Sequence, residues 1–140
     1  MYPFLRRVLC VDDDSDSCEI ISLMLQSADE NYHVTTVSSG NAALNMIADE
    51  PFDLYILDYR LPEMSGIDLC RLIRQSDAQT PIMFFTGMAR EVDGKNALEA
   101  GATRFLVKPT DLDILTETVK ELLNQNLSSS EFKNFAPVSQ

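Results

Sequence analysis

Five short apolar runs recur along this chain, each followed by a stretch whose apolar residues fall at helical spacing. That alternation leaves few folds open. The runs are Arg7–Val11, His33–Val37, Leu54–Leu57, Ile82–Phe85 and Phe105–Val107. The third has no polar alternation, as expected of a central strand covered on both faces. Between them lie predicted helices at Asp16–Ala28, Gly40–Asp49, Ile67–Gln75 and Val92–Ala100, and a fifth opens at Thr110 or Asp111. In the first, Ile21, Met24, Leu25 and Ala28 recur at steps of three and four. In the fifth, Leu112, Leu115, Val119, Leu122 and Leu123 share one face. Asp16 with Glu19 reads as a capping-box variant, Ser65 as the N-cap of the third helix, and Gly101 as a C-terminal cap. The fourth helix has the thinnest apolar stripe and carries Gly94 inside it.

Alternating strands and helices with short links build an α/β fold, a parallel sheet with helices on both faces. Five units suit a doubly wound five-stranded sheet in the flavodoxin-like order 2-1-3-4-5. At 140 residues the chain reads as one domain, expected over 1–126, followed by a polar, Ser-rich tail or linker stub over 127–140. A formal net charge of −11 argues against direct contact with nucleic acid or anionic lipid. No apolar run approaches the ~18 residues that a membrane helix needs. The basic pair Arg6-Arg7 follows the few apolar N-terminal residues, the reverse of a signal peptide, so a cytoplasmic location is expected. Cys10, Cys18 and Cys70 have no CxxC spacing and are expected to pack in the core. With one histidine, His33, they make no zinc set.

The chemistry lies where the strands stop. The first run ends on Asp12-Asp13-Asp14 and the third on Asp58. In the order 2-1-3-4-5 these two strands are neighbours, so their carboxylates meet at the carboxyl edge of the sheet, where ligands bind in such folds. Carboxylates gathered there repel one another unless a cation or proton intervenes. The fourth run ends on Thr86 and the fifth on Lys108-Pro109. Such a rim suits a carboxylate nucleophile, Asp58, attacking phosphorus. Mg2+ would bind Asp13, Asp58 and a backbone carbonyl, with Asp12 acting through water and through its charge. Lys108 and Thr86 would each meet a phosphoryl oxygen. Taken singly, each feature has a plainer reading. The acidic triplet can cap a helix, Asp58 can close a turn, Phe105 can be core, and Thr86 and Lys108 can be structural. Their coincidence at five independent positions outweighs those readings.

Together these residues resemble the response regulator receiver domain of two-component signalling, from about Arg7 to Leu123. The matching pieces are Val11-Asp12-Asp13, Leu57-Asp58, Leu61-Pro62-Glu63-Met64-Ser65-Gly66, Thr86-Gly87 and Lys108-Pro109. The resemblance implies that Asp58 is the phosphorylation site and that the Arg60 carbonyl is the third protein ligand of Mg2+. It assigns Thr86 and Phe105 to the switch and implies a cis bond before Pro109. It implies a sensor histidine kinase or phosphotransfer protein as donor and an unidentified downstream effector. It also points to helix four, strand five and helix five as the partner or homodimer surface. On this reading the chain is no metabolic enzyme and catalyses only its own phosphorylation and dephosphorylation.

Two other functions stay in view. A Mg2+-dependent aspartyl-phosphate hydrolase would usually carry an acid two residues after its nucleophile, where this chain has Arg60. A scaffold on the same fold that is never phosphorylated has no need of the full set of acids and lysine. Arg60 and Met88 depart from the common pattern and lead us to expect slow unaided dephosphorylation. Phe105 lacks the hydroxyl that a tyrosine would bring to the switch.

Overall fold

The computed structural model describes residues 5–87 and 89–124. Five parallel strands form one sheet in the order β2-β1-β3-β4-β5, as the alternation predicts. The strands are β1 (Arg6–Val11), β2 (Tyr32–Val37), β3 (Leu54–Leu57), β4 (Ile82–Thr86) and β5 (Arg104–Val107). The helices are α1 (Ser15–Ala28), α2 (Gly40–Asp49), α3 (Gly66–Ser76), α4 (Glu91–Glu99) and α5, helical from 115 to the last described residue, 124. The expected tail at 127–140 and Met88 lie outside the described residues.

Strand pleating sorts the core into two layers, since successive side chains point to opposite faces. Val8, Cys10, Ile56, Met83, Phe85 and Leu106 pack with Ile21 and Leu25 of α1 and Leu115, Val119 and Leu122 of α5. Leu9, Val11, Tyr55, Leu57, Ile82 and Phe84 pack with α2, α3 and α4 through residues such as Ala43, Leu69, Ile73 and Ala97. All four residues of β3 are buried, which fits its unbroken apolar run. The three cysteines are free and buried, Cys10 and Cys18 in the first layer and Cys70 in the second.

Two helix starts differ from the sequence expectation. Asp14, not the Asp16–Glu19 pair, caps α1: its Oδ1 accepts the Asp16 N–H at 3.0 Å. The extended backbone at Asp14 leaves its short side chain free to fold onto the first turn. The fifth helix does not open at Thr110 or Asp111. Asp111 turns back instead, and its Oδ2 accepts the Val107 N–H at 2.8 Å. A 3-10 turn over Leu112–Ile114 then leads into α5. Ser65 caps α3 as expected, accepting the Asp68 N–H at 3.1 Å. Gly101 ends α4 at φ 113° and donates its N–H to the Leu98 carbonyl at 3.0 Å.

Candidate functional site

Strand register builds the rim. Val11 pairs with Leu57, Leu57 with Phe84, and Thr86 with Val107. The residues just past these pairs therefore share one edge. The Asp58 N–H donates to the Val11 carbonyl at 2.9 Å, and the Lys108 N–H to the Thr86 carbonyl at 2.8 Å. Asp12, Asp13 and Asp58 each bring a carboxylate oxygen within 4.8 Å of the others. Lys108 reaches the same point: its Nζ lies 2.6 Å from Asp12 Oδ2 and 3.7 Å from Asp58 Oδ2.

The triplet divides its labour. Asp14 caps α1. Asp12 is only 2% exposed, and both of its oxygens are engaged, Oδ2 by Lys108 and Oδ1 by the Asp14 N–H at 2.9 Å. Asp13 is exposed and Asp58 half-buried. Burial raises the Asp12 carboxyl above its usual range, and the charge of Asp58 adds to this against the Lys108 and Asp14 hydrogen bonds. Burial alone would lower the Lys108 ammonium. The hydrogen bond to Asp12 and the charges of Asp58, Asp12 and Asp14 prevail and raise it, so the lysine stays charged.

Three close carboxylate oxygens are a hard donor set of the kind Mg2+ prefers. The residues fit that ion. With Asp12 occupied by Lys108, Asp13 and Asp58 are the carboxylates left to ligate directly. Arg60 follows in the loop, its side chain exposed.

Thr86 is 3% exposed and ends β4. It has the parity of Ile82 and Phe84, so it lies on the α2–α3–α4 side of the sheet, whereas Lys108 spans the Phe85 ring on the other. Phe105 is half-buried against that same α2–α3–α4 layer. Its ring stacks near Phe84, 6.0 Å between centroids, and meets Tyr59 edge-on at 6.4 Å. The Lys108–Pro109 bond is cis.

Ser17 and Asp93 were not legible in the sequence as neighbours of the site, whereas Gly66 belongs to the loop motif already noted. Ser17 Oγ accepts from Lys108 Nζ at 3.1 Å, a contact across 91 positions that no motif signals. Gly66 is required by the loop after Asp58, because a Cβ there would sit 2.1 Å from the Asp58 carbonyl oxygen. Asp93 is a buried acid in the first turn of α4. Its only sequence signal is its place at a helix N-terminus.

Comparison with known proteins agrees with this geometry. The family model described as response regulator receiver domain matches residues 8–120. Response regulator ArlR of Staphylococcus epidermidis is 35% identical over 121 residues, covering 86% of this chain and 54% of the relative. The chain spans about half the length of the curated relatives it matches. The crystal structure of a signal receiver domain from Vibrio parahaemolyticus superposes with a TM-score of 0.82 at 29% identity, covering 90% of this chain and 95% of that one. A response regulator receiver domain protein from Methanospirillum hungatei gives 0.77 at 30% identity, covering 89% and 98%.

Proposed function

The chain belongs to the receiver domain family of two-component response regulators, and from that membership we propose that Asp58 is the residue that takes the phosphoryl group. The observation that carries this reading is the meeting of three carboxylates and Lys108 at one rim. A carboxylate oxygen of Asp58 attacks phosphorus in line, and the bond from phosphorus to the donor nitrogen or oxygen breaks. A phosphohistidine donor, protonated on its other ring nitrogen, leaves as neutral imidazole, and acetyl phosphate leaves acetate. Lys108 neutralises one phosphoryl oxygen and the Thr86 hydroxyl donates to another. Asp12 holds the lysine at the rim by the 2.6 Å contact, so the ammonium needs little movement to serve the product.

Asp13, Asp58 and the Arg60 carbonyl would hold Mg2+, with Asp12 contributing charge. Bound there, the ion supplies the positive charge that lets an anionic donor approach an anionic nucleophile.

The module is a signalling device. Its own phosphorylation and dephosphorylation are the only reactions we assign to it. The donor is a sensor histidine kinase or phosphotransfer protein in the cytoplasm. Among the described residues no helix is long and apolar enough to cross a membrane. The added phosphoryl group brings a charge of about −1.5 to −2 and three acceptor oxygens. Thr86 moves toward them, and Phe105 repacks behind it. That changes the surface of α4, β5 and α5, where Val92 and Leu98 of α4 are already 44% and 53% exposed. We assign that surface to the downstream effector or to a second copy of the chain.

Intact-mass measurement with Mg2+ and acetyl phosphate tests the proposal. The wild type gains one phosphoryl group and Asp58→Asn gains none. An equal gain in both proteins refutes the assignment.

A further inference from the structure

The loop between Asp58 and α3 carries Arg60, whose carbonyl is the proposed third protein ligand of Mg2+, and it is held at both ends. At its base the Asp58 N–H donates to the Val11 carbonyl at 2.9 Å, and the Gly66 N–H to the Tyr59 carbonyl at 2.8 Å. Further along, Pro62, Glu63 and Met64 make a three-residue turn in which the Met64 N–H donates to the Pro62 carbonyl at 2.8 Å. Among the described residues Glu63 is the only non-glycine at positive φ, 71°. A glutamate stays in such a turn only where its surroundings over-determine it.

Those surroundings come from α2. Asn41 Nδ2 donates to Glu63 Oε1 at 2.9 Å, across 22 positions. Both residues are exposed, so this bond alone is a weak tie. The firmer hold is at Gly40, the buried first residue of α2. A Cβ there would sit 2.6 Å from Met64 Cγ and 2.6 Å from its Sδ. The Met64 side chain therefore lies in a notch that exists because residue 40 has no side chain. Met64 and Leu61 also pack on the core layer that holds Ala43 of α2. Arg60 thus lies between two anchored points, Tyr59 before it and Leu61–Met64 after it.

We propose that Gly40, Asn41, Glu63 and Met64 form a clamp between α2 and this loop, and that the clamp positions the Arg60 carbonyl for the metal. Mg2+ demands near-ideal octahedral geometry. A backbone carbonyl cannot meet that demand by turning a side chain; it moves only with its segment of chain. A loop already held leaves less to be ordered on binding, and such preorganisation raises affinity. The four are positioning residues, and none of them ligates the ion. This rests on the Mg2+ site proposed above and adds to its determinants a helix that supplies no ligand.

Mn2+, which takes octahedral oxygen sites as Mg2+ does, is the probe. Free Mn2+ is measured by electron paramagnetic resonance in wild type, Gly40→Ala, Met64→Ala, their double variant, Asn41→Ala and Asp13→Asn. The melting temperature of each is recorded without metal. The dissociation constant rises about fivefold in Gly40→Ala and in Met64→Ala, and about twofold in Asn41→Ala, whose bond is exposed. The double variant binds no more weakly than either single one, because both changes empty the same notch. None of the clamp variants removes a ligand or alters the charge at the rim. If Met64→Ala does not fold, Gly40→Ala decides, since alanine suits the first turn of a helix. Wild-type affinity in Gly40→Ala would overturn the clamp even with a lower melting temperature, which marks a purely structural contact. A further loss of affinity when Gly40→Ala is added to Met64→Ala would also overturn it. A wild type that binds no Mn2+, or an Asp13→Asn that binds as tightly as wild type, would instead overturn the Mg2+ site itself.

Discussion

Lys108 makes its shortest contact with Asp12, not with the proposed acceptor, so this pairing offsets one of the three carboxylate charges at the rim. Asp12 and Lys108 are 2% and 19% exposed in their side chains, so their attraction is only partly screened. Arg74 shows the same economy away from the site. Its Nε donates to the Gly101 carbonyl at 2.9 Å, and its Nη1 to the carbonyls of Asp77 and Thr80 at 3.0 and 2.8 Å. Arg74→Met removes all three donors and should cost about 2–3 kcal/mol in urea unfolding, with phosphorylation of the folded fraction unchanged. Tyr55 supplies a test by pH. Burial pushes its hydroxyl up to about 12, from an ordinary 10, with Asp77 adding to the shift. A raised value favours the neutral form in the fold. The contribution is full below pH 10 and is lost as pH rises through about 12. Tyr55→Phe should therefore keep about 2–3 kcal/mol that the wild type loses across that window, measured by denaturant unfolding at successive pH values. The rim residues were legible because each ends an apolar run. Ser17 and Arg74 were not, because Lys108 and Gly101 reach them from elements remote in sequence.

At the level of elements, the strands and most helices follow from periodicity, and the departures have local causes. Asp14 and Asp111 are short acids that bond nearby backbone, so they displaced the expected starts of α1 and α5. Two glycines make opposite predictions. A Cβ on Gly66 would clash with the backbone oxygen of Asp58, which no side-chain rotation relieves. Gly66→Ala should lose about 3 kcal/mol and slow phosphorylation by displacing Asp58, seen as a lower melting temperature together with slower mass gain. A Cβ on Gly94 meets the Phe105 ring at an ordinary 3.5 Å. Gly94→Ala should stabilise α4 by about 1 kcal/mol, read as slower amide exchange there. The weak apolar stripe of α4 made it the least legible helix in sequence. The structure shows that it holds by Gly94 on Phe105 and by the Asp93 cap rather than by a broad apolar face.

For the whole molecule, the topology was legible because parallel strands with short links admit few arrangements. The kinase and effector were not, since recognition resides in surface side chains whose partners leave no period in the sequence. The acidic surface, net −11, and the exposed apolar residues of α4 set only the kind of partner that fits. The central claim is that one rim makes Asp58 alone the phosphoryl acceptor. Borohydride reduces an acyl phosphate to the alcohol, so the acceptor aspartate becomes homoserine and can be placed by fragmentation mass spectrometry. After treatment with Mg2+ and acetyl phosphate, the account predicts homoserine at position 58 and nowhere else. Homoserine at Asp12 or Asp13, or none in protein that had gained phosphoryl mass, would contradict it.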